Sequence, residues 1–272
     1  MSPLELLATW PVANASAAIV WADDAATLGD PDRPYHLASV TKLATAMAAL
    51  VAHEEGTLAL DDAVADGATM ADLLAHSAGF APDAAAPITE PRRRRTYSTS
   101  AYDVVADAIA ERSGIPFPSY LREAVFGPLG MTASALDGSA GADASSTVAD
   151  VVSLTAAWRH PILVHETTLQ RARTPHLPEL GGVLPGFGRQ DPNPWGLGPE
   201  IRGAKTPHWT GASNSAATYG HFGQSGTLVW IDPVAHCTVV ALTDRAFGPW
   251  AAEAWPAFAD AVLAAGPPSG DD

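Results

Sequence analysis

β-rich segments stand at both ends of this chain with helical texture between them, and that order admits few architectures. Residues 15–21 (ASAAIVW) read as a short buried strand, followed by a turn-rich stretch, DDAATLGDPDRP. From Trp195 onward, WGLGPEI, GTLVWIDP and HCTVVALTDR are short β-rich runs with turns between them, the pattern of consecutive antiparallel strands. Between these ends, HLASVTKLATAMAALVAHEEG is the strongest helical segment, with Gly56 as its stop. ATMADLLAHSAGF reads as a short helix ending at Ser77-Ala78-Gly79, SAYDVVADAIAERSG as a helix ending at Gly114, and TVADVVSLTAAWRH as another. PWAAEAWPAFADAVLAA closes the fold as a terminal helix, while residues 81–96, 137–149 and 174–194 read as loops. A parallel sheet would need strands and helices to alternate, and they do not. The expected fold is therefore α+β, an antiparallel sheet built from both chain ends, flanked by helices, with a mostly helical insertion. The expected boundaries are 1–60 plus 195–265 for the sheet-containing domain, 61–194 for the helical one, and 266–272 for a disordered tail.

Charge narrows the partners. A net charge of −15 opposes a nucleic-acid surface, because phosphates need a field of the opposite sign, and the run Arg92 to Arg95 is too short to reverse it. No stretch approaches the roughly 18 apolar residues of a membrane span. MSPLELLATWPVANAS has no basic segment followed by an apolar block, so no secretory signal is read and a cytoplasmic location is expected. The single cysteine, Cys237, lies in the apolar run CTVVAL and reads as a small buried hydrophobe. No cluster has metal-ligand spacing, so no metal and no other cofactor is expected. A small-molecule substrate is the expected partner, with the oligomeric state left open.

The chain has only two lysines, Lys42 and Lys205. Ser39-Val40-Thr41-Lys42 places a hydroxyl and an amine three residues apart at a helix start, on one face. A serine hydroxyl is a poor nucleophile until a neighbouring base accepts its proton, and a lysine of lowered pKa can be that base. Alone, the pair fits a capping serine and a surface lysine equally well.

Other segments change the balance. HLASVTKLATAMAALVAHEEGTLALDDAV, LLAHSAGF (73–80), TYSTSAYDVVADAIAERSG (96–114), FGPLGMT (126–132), WGLGPEI and GHFGQSGT (220–227) follow one another in a familiar order. Together they resemble the serine β-lactamase and penicillin-binding-protein (DD-peptidase) family, particularly the class C branch and its esterase relatives. The resemblance implies that Ser39 attacks a carbonyl to form an acyl-enzyme. It makes Lys42 and Tyr97 partners in acid/base work, without deciding which takes the serine proton. It sets His221 on the strand flanking the site, bonded to Tyr97 or the substrate. It forms the oxyanion hole from the backbone N–H groups of Ser39 and Gln224, such donors being worth about 3 kcal/mol each. Gly223 would leave room for substrate along the strand edge, with Thr99 and Phe222 also lining the binding site.

Two positions depart from the family pattern. Thr99 stands where an Asn is general, and Phe222 replaces a small or hydroxyl residue, bringing bulk to the binding edge. The chain is also shorter than most relatives. A small ester or amide is thus the expected substrate. The alternatives are a β-lactamase or D-Ala-D-Ala carboxypeptidase and, from another class, a silent relative that only binds a ligand or partner. An α/β-hydrolase is disfavoured because no G-x-S-x-G elbow occurs. His76 reads as structural and Lys205 as a loop charge. Arg92 to Arg95 read as a solvated loop, with attraction of an acidic substrate as the other reading.

Overall fold

The computed structural model describes residues 3–22 and 24–267. Its main sheet has six strands: β1 (Ala15–Trp21), β2 (Asp24–Leu28), β3 (Glu200–Ile201), β4 (Tyr219–Gly223), β5 (Thr227–Asp232) and β6 (Cys237–Thr243). They lie in the order β3-β4-β5-β6-β1-β2, every neighbouring pair antiparallel. The first and last long strands are direct partners, Ala15 opposite Thr243 and Trp21 opposite Cys237. The fold is the expected α+β, with the sheet drawn from both ends of the chain.

Both faces of the sheet are covered, which is why its strands read as continuous apolar runs rather than alternating ones. Successive side chains point to opposite faces. Leu228, Trp230, Val239 and Ala241 join one core with Trp255 and Phe258 of the terminal helix, Pro249–Ala265. Val229, Ile231, Val240 and Leu242 join the other with the helix Thr41–Glu54. Every residue of that helix from Thr41 to Ala52 is buried. A helix enclosed on all sides needs small side chains around its whole circumference, and this accounts for its alanines.

Several short elements lie in segments that read as loops. Phe80–Ala81 pairs with Ala84–Pro87, Gly182–Leu184 with Gly188–Gln190, and Ala144–Ser146 with both Ala135–Leu136 and Tyr35–His36. The turn-rich stretch after residue 21 holds β2, whereas WGLGPEI supplies only the two residues of β3. Strands of two to five residues are too short to show a period, and their pairing comes from tertiary neighbours. The short helix expected to reach Ser77 is Met70–Leu74, because His76 takes a left-handed φ of 58°. Of the expected tail, residues 268–272 lie outside the described residues.

Candidate active site

Ser39 sits in a single 3-10 turn, Ala38–Val40, that leads directly into the helix Thr41–Glu54. Ala38 before it has a φ of 45°, a conformation costing a non-glycine residue about 1–3 kcal/mol. The neighbours impose it. Leu37 donates its N–H to Ala144 O at 2.9 Å, and Thr227 Oγ1 donates to Leu37 O at 2.8 Å. Strand β4 presses on the turn through Gly223, where a Cβ would stand 2.3 Å from Leu37 O and 3.1 Å from the Ala38 Cβ. Gly223 is therefore needed for contact with the turn that carries Ser39, a different reason from the substrate clearance expected of it.

One turn into the helix, Lys42 is completely buried. Its Nζ lies 2.7 Å from Gly141 O, 3.2 Å from Ser39 Oγ and 3.3 Å from Thr99 Oγ1. All three partners are uncharged oxygens. Burial lowers its pKa from 10.5 to about 7, against a smaller upward pull from Asp103 and Asp83. A neutral amine offers two N–H donors and one lone pair. Gly141 O and Thr99 Oγ1 take the donors, and the lone pair is left for the Ser39 hydroxyl. Thr99 thus contacts the lysine through its hydroxyl, in place of the family's amide. Gly141 admits no side chain, since a Cβ would stand 2.6 Å from Thr99 O. Its loop is tied to the helix Ser100–Ser113 by Asp103, which accepts from Ser139 Oγ at 2.7 Å and Ala140 N at 2.9 Å.

Tyr97 donates its phenol to Ser39 Oγ at 2.7 Å. Burial raises its pKa well above the ordinary tyrosine value, so the phenol keeps its proton. The ring is held by His76 (centroids 4.5 Å apart) and Trp195 (5.7 Å). His76 accepts from Ser98 N through Nδ1 at 3.2 Å, one residue beyond Tyr97, in keeping with its structural reading. The His221 ring lies tilted to it with centroids 5.9 Å apart, but no hydrogen bond joins it to Tyr97. Its Nδ1 is 2.8 Å from Phe222 O, and its buried Nε2 has no partner. Burial and the nearby Lys42 lower its pKa to about 3, leaving a neutral ring.

Ser39, Tyr97, Trp195, Glu200, His221, Phe222 and Gln224 line one cavity of about 30 Å³, together with Leu184 and Pro185. The site residues expected from the sequence thus converge, Thr99 through Lys42 and Gly223 through the turn that carries Ser39. Phe222 differs from expectation. Its ring packs into the second core against Phe247 at 5.0 Å and Trp255 at 5.7 Å, so only part of its bulk reaches the site.

One reading is corrected outright and another in part. Lys205 is no loop charge: it is buried, with Nζ 2.5 Å from Glu200 Oε1 and 3.0 Å from Pro194 O. Glu200 also accepts from Trp209 Nε1 and lies 2.8 Å from His208 Nε2. Burial opposes ionisation of Glu200, but Lys205 and His208 outweigh it and hold the carboxyl well below its usual range. A carboxylate inside the apolar lead-in WGLGPEI was the available signal for this cluster. The run Arg92 to Arg95 is exposed at its first three positions, as read, and departs from that reading at the last. Arg92 pairs with the buried Asp72, and Arg95 is buried, its guanidinium donating to Asn193 O at 3.1 Å and His176 O at 2.7 Å. Asp103 and Gly141, by contrast, carry no local motif. Cys237 is buried, as read. Among the described residues, no group of three or more His, Cys, Asp or Glu is placed to hold a metal ion, and no helix is long and apolar enough to cross a membrane.

A fold that sets a Ser-x-x-Lys pair, its lysine buried, beneath a tyrosine and beside an antiparallel strand defines a recognisable class. The β-lactamase family model matches residues 14–264, and the chain belongs to that family. A β-lactamase (Mb2281c) from Mycobacterium bovis is 47% identical, with a TM-score of 0.95 over 97% of this chain and 99% of its own. Simvastatin synthase (LovD) from Aspergillus terreus, a LovD9 mutant, is 16% identical, with a TM-score of 0.79 over 96% of each chain. EstCE1, a hydrolase with promiscuous acyltransferase activity, is 20% identical, with a TM-score of 0.75 over 95% of this chain and 96% of its own. At those lower identities the likeness is one of fold. No curated protein matches the sequence.

Proposed function

We propose that this chain is a serine hydrolase acting through an acyl-enzyme on a small ester or amide, with Ser39 as nucleophile and Lys42 as acylation base. The observation that carries the reading is the convergence of Lys42 Nζ (3.2 Å) and Tyr97 OH (2.7 Å) on Ser39 Oγ. Because the phenol donates to Ser39, the serine's own hydrogen is free to point at the amine. As Oγ bonds to the substrate carbonyl carbon, that proton passes to Lys42, which is uncharged above pH 7. Negative charge then forms on the carbonyl oxygen, where the N–H groups of Ser39 and Gln224 are assigned as donors. The intermediate collapses by breaking the bond to the leaving alcohol or amine. Tyr97 supplies the proton to that leaving group and regains one from Lys42. Water attacks the acyl group by the reverse proton path and frees the acid.

The preference for a small substrate rests on the missing amide at Thr99. The 47% identity to a protein described as a β-lactamase favours a second reading, β-lactam hydrolysis. Intact-mass spectrometry after incubation with a fluorophosphonate and, separately, a penicillin tests both, on wild type and Ser39→Ala. Fluorophosphonate labelling lost in Ser39→Ala supports the nucleophile, and a persistent penicillin adduct supports the second reading. Folded protein that takes neither reagent would sink the hydrolase and leave a binding relative.

A further inference from the structure

The cavity at Ser39 opens beside a much larger cleft of about 520 Å³, and the two share Tyr97 and Pro185. The cleft runs between the segment 88–97 and the hairpin Gly182–Leu184/Gly188–Gln190. Its charged lining is mostly positive: Arg93, Arg94 and Arg189 contribute side chains, and buried Arg95 stands behind them. The one acid there, Asp191, is engaged by Arg189 at 3.3 Å. Among the described residues, Arg93 and Arg94 have no ion-pair partner. In a chain of net charge −15, two adjacent unpaired guanidiniums are conspicuous, since acidic neighbours are plentiful elsewhere. The apolar lining is as unusual. Ile88 (51% exposed) and Val183 (61%) are two of the four exposed large hydrophobic residues among the described residues, and both line this cleft, with Pro82 and Pro185.

We infer that this cleft selects substrates in which the ester or amide carries an apolar body ending in an anionic group, a carboxylate or equivalent. The reacting carbonyl sits at Ser39, the apolar body lies on Ile88, Val183 and Pro185, and the anion reaches Arg93, Arg94 and Arg189. The inference deepens the hydrolase reading and rests on it. Unpaired arginines suit this task because a planar guanidinium accepts a carboxylate in two parallel hydrogen bonds. The surrounding negative field makes the preference local, so it acts through contact and falls as salt screens it.

The test compares matched esters that differ by one charge. 4-Nitrophenyl valerate against mono-4-nitrophenyl glutarate places the anion on the acyl side. Methyl 4-acetoxybenzoate against 4-acetoxybenzoate places it on the alcohol side. The expected result is a ratio of kcat/KM, anionic over neutral, about tenfold above the ratio for alkaline hydrolysis in one of the two pairs at low salt. That excess should shrink towards one in 0.5 M NaCl and in Arg93→Ser/Arg94→Ser, with Arg189→Ser lowering it further. The substituted arginines are exposed and the double variant breaks no ion pair, and an unchanged thermal melt checks that it folds. Ser39-dependent turnover of the neutral esters with no excess in either pair would overturn the inference and leave the hydrolase standing. An excess that survives the arginine substitutions would also overturn it. No Ser39-dependent turnover of any ester would remove the hydrolase reading and the inference together.

Discussion

The chain's two lysines are both buried beside the same site, yet their surroundings are opposite. Lys42 is held by three neutral oxygens, and burial, only partly offset by the more distant Asp103 and Asp83, brings its pKa to about 7. Lys205 is equally enclosed but faces the Glu200 carboxylate, which pulls against burial and leaves it at about 8. A buried amine without a counter-ion is a poor structural element and a good base, because its neutral form is the stable one near neutrality. A buried amine with a carboxylate is a fastener. It can be replaced as a pair at little cost, but losing one partner strands the other. Same residue type, same depth, different work.

Replacing Lys42 by Met should separate the two most sharply. Ester kcat/KM is expected to fall on the order of 10³-fold, with no loss of thermal stability, since the substitution removes a desolvated amine that has no counter-ion. Activity within tenfold of wild type would end the assignment of Lys42 as base. Lys205→Met should do the converse and cost about 3–5 kcal/mol in a urea melt by stranding Glu200, with Lys205→Met/Glu200→Gln recovering most of it. A single variant that melts like wild type would make the ion pair irrelevant.

The pH profile sharpens the contrast further. In wild type, kcat/KM should rise as pH passes about 7 and then level, because Lys42 must lose its proton to act. His221, at about 3, and Tyr97, raised above its usual value, add no inflection between pH 5 and 9. The stability of the fold should also rise with pH above 7. There the unfolded chain still binds a proton on Lys42 and the folded one does not. Urea melts of wild type and Lys42→Met at pH 7 and 9 would show whether the variant flattens that rise. The smallest expected effect is in Asp103→Asn. Asp103 raises the Lys42 pKa, so its loss should move the activity midpoint to lower pH by under about one unit. A midpoint that moves upward would contradict the placement of Asp103.

The parts of this site that could be read from the sequence are those that repeat a local pattern. Ser39 and Lys42 lie three residues apart where a 3-10 turn runs into a helix, and Tyr97, His221 and Gln224 lie in short segments with a recognisable order. The six-stranded sheet was legible because its long strands are continuous apolar runs between turns. Gly141 and Asp103 were not, since each acts on residues distant in the chain, and the Glu200–Lys205–His208 cluster has no local period to reveal it. Lys205 looked like a loop charge because its burial depends on the folds of β3 and the 206–210 segment around it. The short hairpins at 80–87 and 182–190 were missed for a related reason: so few residues carry no period.

The pairing of β1 with β6 sets a timetable for the molecule as it leaves the ribosome. Strand β1 emerges early, but the edge it needs is in Cys237–Thr243, almost at the other end. At ordinary rates of synthesis that partner arrives on the order of tens of seconds later. Through that interval a run of buried-type residues, Ala17 to Val20, has no sheet to join on that side. Ser39, the proposed nucleophile, is translated long before β4 can clamp its turn, so the geometry around it is complete only once Tyr219–Gly223 has been made.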